Sequence, residues 1–131
     1  MKITADTNVL IRAVVRDHAA QARAAAKALT GAETIAVSLP SLCEFVWVLR
    51  KVYRLQVTDI AAAIRALLAS ANVEADRQGA EAGLRMLEAG GDFADGVIAH
   101  EGRWLGGDTF VSFDRKAVAL LKAQSQDART P

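Results

Sequence analysis

The chain has 131 residues, of which 52% are hydrophobic and 24% charged, so it is one domain long and rich enough in apolar residues for a core. This composition excludes a disordered or collagen-like chain, and the single cysteine, Cys43, excludes a disulfide scaffold. The 16 basic and 15 acidic residues give a net charge of +1, which excludes strong bulk attraction to nucleic acid.

Short β-like runs alternate with longer helical stretches along the chain. In order, the first half is predicted to form a strand over 2–6, helices over 7–15 and 19–29, a strand over 34–39, and helices over 40–53 and 58–70. The second half is predicted to form a strand over 73–75, helices over 77–89 and 92–105, a strand over 109–113 and a helix over 115–122. The polar tail from residue 123 is expected to fray.

This alternation of strands and helices predicts the fold class. Strands separated by helices imply right-handed crossovers, which give a parallel sheet with helices on both faces. No internal repeat, low-complexity block or linker divides the sequence. We therefore predict one domain over residues 1–131, of the α/β class, built as a three-layer α/β/α sandwich around a small parallel sheet.

The apolar segments of the chain predict a cytoplasmic protein without membrane contact. No segment approaches the ~18 consecutive apolar residues that a membrane span needs. The longest apolar stretch, Leu42 to Leu49, is interrupted by Glu44. At the N-terminus, Asp6 comes before any apolar region of a signal peptide could form. The lone cysteine is also typical of a reducing compartment.

Acidic side chains recur where the predicted strands end. Asp6 ends the first strand, Asp114 follows the last, and Glu44 lies in the first turn of the helix after the second strand. Asp92 and Asp95 open the helix over 92–105, and their i, i+3 spacing places both on one helix face. Because sites in open α/β sheets form outside the carboxyl ends of the strands, we expect these acids to meet at one edge.

Each acid also has a purely structural interpretation as a helix cap. Asp6 and Asp114 can be N-caps. Ser41-x-x-Glu44 fits a capping box, and Asp92-x-x-Asp95 resembles one with a shorter acid. Glu44 fits a cap least well, because its helix is apolar all around and is expected to be largely buried. A lone buried carboxylate is costly unless it is paired, protonated or bound to a metal.

A cluster of carboxylates has a chemical consequence that separate caps do not have. Such groups repel one another, so some of them would hold protons at neutral pH unless a cation lies among them. Ligand sets made only of oxygen favour Mg²⁺ or Mn²⁺ over zinc. These ions, singly or as a pair, activate water and stabilise phosphoryl transition states. The cluster therefore indicates metal-dependent cleavage of a phosphodiester.

At these residues the sequence resembles the PIN-domain ribonucleases, and it is most similar to the VapC-type toxins of bacterial toxin–antitoxin pairs. The segment Asp6-Thr7-Asn8-Val9-Leu10-Ile11 is similar to the opening motif of the family, and Glu44 matches its second acid. The segment from Asp92 to Ala99 is similar to the third motif, and Ser112-Phe113-Asp114 fits the fourth. The resemblance spans about residues 2 to 122.

The resemblance implies an endoribonuclease that depends on Mg²⁺ or Mn²⁺ and cuts structured RNA, often transfer RNA, with water as the nucleophile. It implies that Asp6 and Asp95 hold the main metal, and that Asp92 is the more variable acid. Glu44 and Asp114 would complete the catalytic cluster, one of them orienting or deprotonating the water. It further implies a homodimer silenced by a cognate VapB-like antitoxin, whose tail places an Arg or Lys against the acids.

Several basic residues lie near these acids in the sequence. Arg12 follows Asp6 on its predicted helix, and Arg50 and Lys51 follow Glu44 on another. Arg115 comes directly after Asp114. These four basic side chains either bind RNA phosphates beside the site or form solvated helix faces, and both interpretations remain open.

The remaining chemistry-bearing side chains are expected to be structural. His100 is five residues beyond Asp95, about 140° around a helix, so it does not share the face of that acid. Phe45, Trp47 and Trp104 are expected to fill the core or a dimer interface rather than to stack on bases.

Two other functions compete with the nuclease interpretation. The first is a non-catalytic PIN-like module that binds RNA or protein, with the acids serving as caps or as a contact for a basic peptide. The second is an aspartyl-phosphate phosphatase or receiver domain. The second is disfavoured, because Asp6 is followed by Thr7 and Asn8 rather than by another Asp two positions on.

Overall fold

Seven helices and five short strands make up the protein in the computed structural model, which describes residues 1–131. The strands are β1 (Lys2–Thr4), β2 (Thr34–Ala36), β3 (Val73–Glu74), β4 (Phe110–Val111) and β5 (Ala128–Arg129). The helices are α1 (Thr7–Val14), α2 (Ala19–Gly31), α3 (Leu39–Lys51), α4 (Val57–Ala69), α5 (Arg77–Glu88), α6 (Phe93–Trp104) and α7 (Arg115–Ala123). None of these helices combines the length and the apolar character that crossing a bilayer requires. The chain divides into two compact units, Met1–Asp76 and Arg77–Pro131.

The first unit contains a parallel three-stranded sheet in the order β1-β2-β3. Ile3 pairs with Ile35, which in turn pairs with Val73, so one line of residues crosses all three strands. Helices α1 and α2 connect the first two strands, and α3 and α4 connect the second and third. Parallel neighbours need such long connections, which a hairpin cannot supply. The predicted α/β class with a small parallel sheet is confirmed.

Helix α3 packs with one face rather than all around. Its buried residues include Leu42, Phe45 and Leu49, which recur at intervals of three and four and therefore lie on one side. Trp47 lies on the other side and is 59% exposed. The expectation that this helix is largely buried is therefore wrong for its outer face, where apolar side chains meet solvent.

The start of α3 also differs from the prediction. The helix begins at Leu39, after the N-cap residue Ser38, whose hydroxyl accepts a hydrogen bond from the backbone N–H of Ser41 at 3.2 Å. The capping box predicted to start at Ser41 is therefore wrong, because Ser41 is already inside the first turn. Glu44 lies farther along the helix and takes no part in the cap.

The second unit holds α5 and α6 in contact at their backbones. A Cβ atom added at Gly96 would collide with the backbone carbonyl oxygen of Ala82, and one added at Gly83 would lie 2.6 Å from the ring of Phe93. These positions have no room for a side chain, so glycine is what allows the two helices to approach so closely. The contact fixes the N-terminal half of α6, which carries Asp95.

The end of the chain is a strand and not the frayed tail that the polar sequence predicts. Residues Ala128–Arg129 form β5, which pairs in parallel with β4 after the crossover through α7. The backbone N–H of Phe110 donates to the carbonyl of Asp127 at 3.0 Å. Ala128 is buried with Met86 and Leu121 in the core of this unit. A buried alanine and the ladder bonds therefore hold a segment that is otherwise polar.

Candidate metal centre

Three aspartates of the second unit form an acidic cluster. One carboxylate oxygen from each of Asp92, Asp95 and Asp114 lies within 4.8 Å of the other two. The first two belong to the start of α6, and the third precedes α7. The cluster therefore forms where the N-termini of two helices converge. The prediction that these acids meet is confirmed for these three residues.

The start of α6 supplies two of the three carboxylates. Asp92 is the N-cap residue, and its backbone carbonyl accepts a hydrogen bond from the N–H of Asp95 at 3.1 Å. The side chain of Asp92 makes no capping hydrogen bond, so the capping-box interpretation of this pair is wrong. The three-residue spacing directs both carboxylates to one side, as predicted from the helical repeat.

One hydrogen bond orients the carboxylate of Asp114, and a second holds its backbone. Its Oδ1 accepts a hydrogen bond from the backbone N–H of Ala117 at 3.0 Å, which caps α7. Its own backbone N–H donates to the hydroxyl of Ser112 at 3.0 Å. The capping interpretation of Asp114 is confirmed, and it coexists with membership of the cluster, since a carboxylate has two oxygens.

The electrostatics of the cluster favour a bound cation. Burial raises the pKa of Asp95 above the ordinary carboxyl value, and the negative charges of Asp92 and Asp114 raise it further. The raised pKa means that the ionised form of Asp95 is disfavoured when no cation is bound. A cation between the three carboxylates would offset their repulsion. The partial positive charge of the two helix N-termini offsets only part of it.

The donor set fits a hard divalent cation. All three groups are carboxylates, so the ligands are oxygen atoms, the type that Mg²⁺ and Mn²⁺ prefer. Neither histidine nor cysteine contributes to the cluster, which argues against a zinc site. The residues that can hold the ion in the second unit are Asp92, Asp95 and Asp114.

Asp6 and Glu44, the two other predicted acids, lie in the first unit. Asp6 is the exposed N-cap residue of α1, and its side chain makes no capping hydrogen bond. Glu44 is exposed on α3, on the same side as Trp47, so the expected buried carboxylate is wrong. The reason is the helical phase, since the buried side of α3 contains Leu42, Phe45 and Leu49 and Glu44 lies on the other side. That these two acids complete the site stays a prediction.

Arg12 is held by a network of hydrogen bonds within the first unit. Its guanidinium donates to Gln21 at 2.7 Å, to Asp17 at 3.0 Å and to the hydroxyl of Tyr53 at 3.0 Å. The hydrogen bond with Tyr53 is the largest cause that raises the pKa of Arg12 above its ordinary value. Because Asp17 also forms an ion pair with it, part of its charge is offset inside the protein.

The other predicted phosphate-binding residues lie on helices α3 and α7. Lys51 is exposed at the end of α3, and Arg50 beside it is half-buried. Arg115 is exposed and is the first residue of α7, directly after Asp114. Their contact with RNA stays a prediction.

The aromatic residues divide between the core and the surface. Phe45 is buried, as expected. Trp104, in contrast, is 75% exposed at the end of α6. Trp104 therefore does not fill the core, and the other part of the expectation, that it lies at a dimer interface, stays a prediction.

One residue that supports the cluster was not singled out from the sequence. Gly96 follows Asp95 directly and allows α6 to lie against the backbone of α5. A glycine inside a helical pattern lowers helix propensity, so Gly96 itself indicates that another backbone packs closely against this helix.

Comparison with known proteins identifies one family. The sequence profile described as "PIN domain" matches residues 3–121, which includes strands and helices of both units. The match confirms the predicted PIN-like α/β/α fold class. No curated protein matches the chain.

Proposed function

The chain belongs to the PIN domain family, whose members are generally metal-dependent nucleases, and we propose that it is an endoribonuclease acting as the toxin of a toxin–antitoxin pair. Its substrate is RNA, with transfer RNA as the favoured class, and its cofactor is Mg²⁺ or Mn²⁺. The observation that carries the proposal is the acidic cluster of Asp92, Asp95 and Asp114, with carboxylate oxygens within 4.8 Å of one another.

In this proposal Asp95 and Asp6 would hold the metal, and Asp92, Glu44 and Asp114 would complete the site. A bound cation would supply activation of the attacking water and neutralisation of charge on the phosphate. The raised pKa of Asp95 supports a ligand role, since its ionised form gains most from a nearby positive charge.

Hydrolysis forms a bond from the water oxygen to phosphorus and breaks one phosphorus–oxygen ester bond. The water gives up a proton to a carboxylate, and the departing ribose oxygen takes up a proton. Asp114 and Glu44 are the candidates for the proton acceptor. The hydrogen bond from the backbone N–H of Ala117 to Oδ1 of Asp114 supports an orienting role for this carboxylate, because it restrains the side chain within the cluster.

The toxin role rests on the motif pattern of the sequence. We propose a cytoplasmic protein that forms a homodimer and is inhibited by a small VapB-like antitoxin. The exposed apolar side chains of Ile98 and Val111 line one cavity of the second unit, and they support a homodimer because such side chains mark interaction surfaces when they occur together. Expression without an antitoxin is expected to arrest the growth of a bacterial host, and expression of Asp95→Asn is not.

The activity is tested with the purified full-length chain and labelled transfer RNA. Cleavage is expected with Mg²⁺ or Mn²⁺ and none with EDTA. The Asp95→Asn variant is expected to cleave at least about 100-fold more slowly, because it loses a charged ligand worth several kcal/mol in the transition state. The matched control is Glu101→Gln, which removes the same charge from an exposed position on the same helix and leaves cleavage unchanged.

The result that would contradict the proposal is equal cleavage by Asp95→Asn and the wild-type protein, which would identify a contaminating nuclease. RNA binding without any metal-dependent cleavage would instead support the competing function, a non-catalytic binding module.

A further inference from the structure

A cavity of about 690 Å³ lies in the second unit and is lined by side chains of α5 and α6. Its volume is within the range of sites that bind small organic groups, about 300–1,000 Å³. The side chains from α5 include Arg77, Glu81 and Arg85, and those from α6 include Arg103 and Trp104. None of these residues belongs to the acidic cluster.

The spacing of the lining residues explains how two helices build this cavity. Arg77, Glu81 and Arg85 are four residues apart, so they form a row along one side of α5. Arg103 and Trp104 lie in the last turn of α6, one turn beyond the buried His100. All except His100 are exposed.

The charge of the cavity is positive although the whole chain is nearly neutral. Three arginines line it against a single glutamate, Glu81. The guanidinium of Arg103 donates a hydrogen bond to the side-chain amide oxygen of Gln126, which holds its position and leaves its charge in place. Planar guanidinium groups bind phosphate oxygens in pairs of parallel hydrogen bonds, so three of them around one cavity suit a polyanion.

Trp104 adds a flat apolar surface to this positive cavity. Its side chain is 75% exposed, and the neighbouring Leu105 is 89% exposed. An exposed tryptophan beside arginines is the combination that binds unpaired bases, because any base can stack on the indole while phosphates contact the cations. An acidic peptide would satisfy the arginines but would leave the stacking surface without a partner.

We propose that this cavity is a binding site for single-stranded RNA, with phosphates on Arg77, Arg85 and Arg103 and a base stacked on Trp104. The proposal rests on the proposed function for the identity of the nucleic acid. Asp95 precedes Arg103 by eight residues on the same helix, about 12 Å along its axis. An RNA strand held in the cavity is therefore close to the acidic cluster along α6, so unpaired nucleotides beside the cut site would contribute to the choice of RNA.

The test measures binding separately from cleavage. The full-length chain carries Asp95→Asn, the buffer contains EDTA, and the probe is a fluorescein-labelled single-stranded RNA of about 12 nucleotides followed by anisotropy. A second substitution in this background, Arg85→Ala, is expected to weaken RNA binding about fivefold. It is also expected to make the plot of log affinity against log salt concentration less steep by about 0.7. Added Trp104→Ala is expected to weaken binding about tenfold. The matched control is Arg23→Ala, which removes the same charge from an exposed position on α2 and changes affinity less than about twofold.

Two outcomes would overturn the inference. One is equal affinity in the Arg85, Trp104 and Arg23 variants, which means that RNA binds elsewhere or through net charge alone. The other is displacement of the RNA by a poly-glutamate peptide whose own binding depends more strongly on Arg85 than RNA binding does. That result would make the cavity a peptide site. Failure of this inference leaves metal-dependent cleavage by the wild-type protein intact, and failure of the cleavage test leaves the binding result intact. The two proposals are therefore distinguishable.

Discussion

Burial and neighbouring negative charges both disfavour the ionised form of Asp95. Its pKa is raised first by burial and then by Asp92 and Asp114. A carboxyl whose folded-state pKa lies above its unfolded value lowers stability at neutral pH, since the folded state must hold the charge that the unfolded state holds more easily. The penalty is complete above the raised pKa and disappears below the ordinary carboxyl value, where both states are protonated.

Asp95→Asn is therefore expected to stabilise the metal-free protein at pH 7. Removing one charge from a group of three relieves repulsion of about 1 kcal/mol at these separations in a solvent-accessible setting. The melting temperature in EDTA is expected to rise by about 3 °C at pH 7. The difference from wild type is expected to shrink as the pH falls through the raised pKa toward the ordinary carboxyl value. A lower melting temperature for Asp95→Asn at pH 7 would mean that the side chain is a structural cap.

Asp114 allows the cap and the metal ligand to be separated. Asparagine is as good an N-cap as aspartate, so Asp114→Asn is expected to keep the stability of α7 and to lose cleavage. Asp114→Ala is expected to lose cleavage and also about 1 kcal/mol of stability, because the N–H of Ala117 loses its acceptor. Thermal melts and RNA cleavage of the two variants check this. Equal stability losses in both variants would contradict it.

The residues of the acidic cluster could be predicted from the sequence, but their surroundings could not. The spacing of Asp92 and Asp95 fixes their common side of a helix, whatever the fold. Glu44 was predicted to be buried because its neighbours are apolar, yet it is exposed. Composition does not tell which of several apolar residues, such as Trp47 and Phe45, faces the core when a helix is apolar on both sides.

The packing of helix α6 depends on a single small residue, Gly96. Gly96→Ala places a methyl group against the backbone carbonyl of Ala82, which cannot move without shifting α5. We expect a loss of about 1–3 kcal/mol in the free energy of unfolding, together with weaker cleavage, since Asp95 is the preceding residue. The matched control is Gly102→Ala on the same helix, where no atom lies within 4 Å of the new Cβ. This control is expected to stabilise the protein by up to about 1 kcal/mol, because alanine restricts the unfolded chain. Denaturant unfolding compares the two variants, and equal effects would contradict the close contact.

The helices were more predictable than the strands, for a physical reason. A helix repeats its pattern over eight or more residues, as the apolar positions of α3 show. The strands β3 and β4 lie within the predicted strands over 73–75 and 109–113 but have only two residues each, too few for an alternating pattern to fix their ends. Pairing of β5 depends on a distant strand and on the burial of Ala128, which the polar tail sequence does not reveal.

At the scale of the whole molecule, a net charge of +1 conceals a strong local separation of charge. The second unit alone carries the acidic cluster and the positive cavity of α5 and α6. The cavity was not predicted, because its arginines at 77, 85 and 103 come from two helices and form no run in the sequence. Net charge therefore describes the solution behaviour of the chain and says little about where RNA binds.

The most direct test of the central claim is calorimetric titration of the full-length protein with MnCl₂. The wild-type protein is expected to bind the ion, Glu101→Gln to bind it equally well, and Asp95→Asn to bind at least about tenfold more weakly. Asp6→Asn is expected to weaken binding by a similar factor, because the proposed function includes Asp6 among the ligands. Equal Mn²⁺ affinity for Asp95→Asn and the wild-type protein, or no binding by the wild-type protein, would contradict a metal centre at these aspartates.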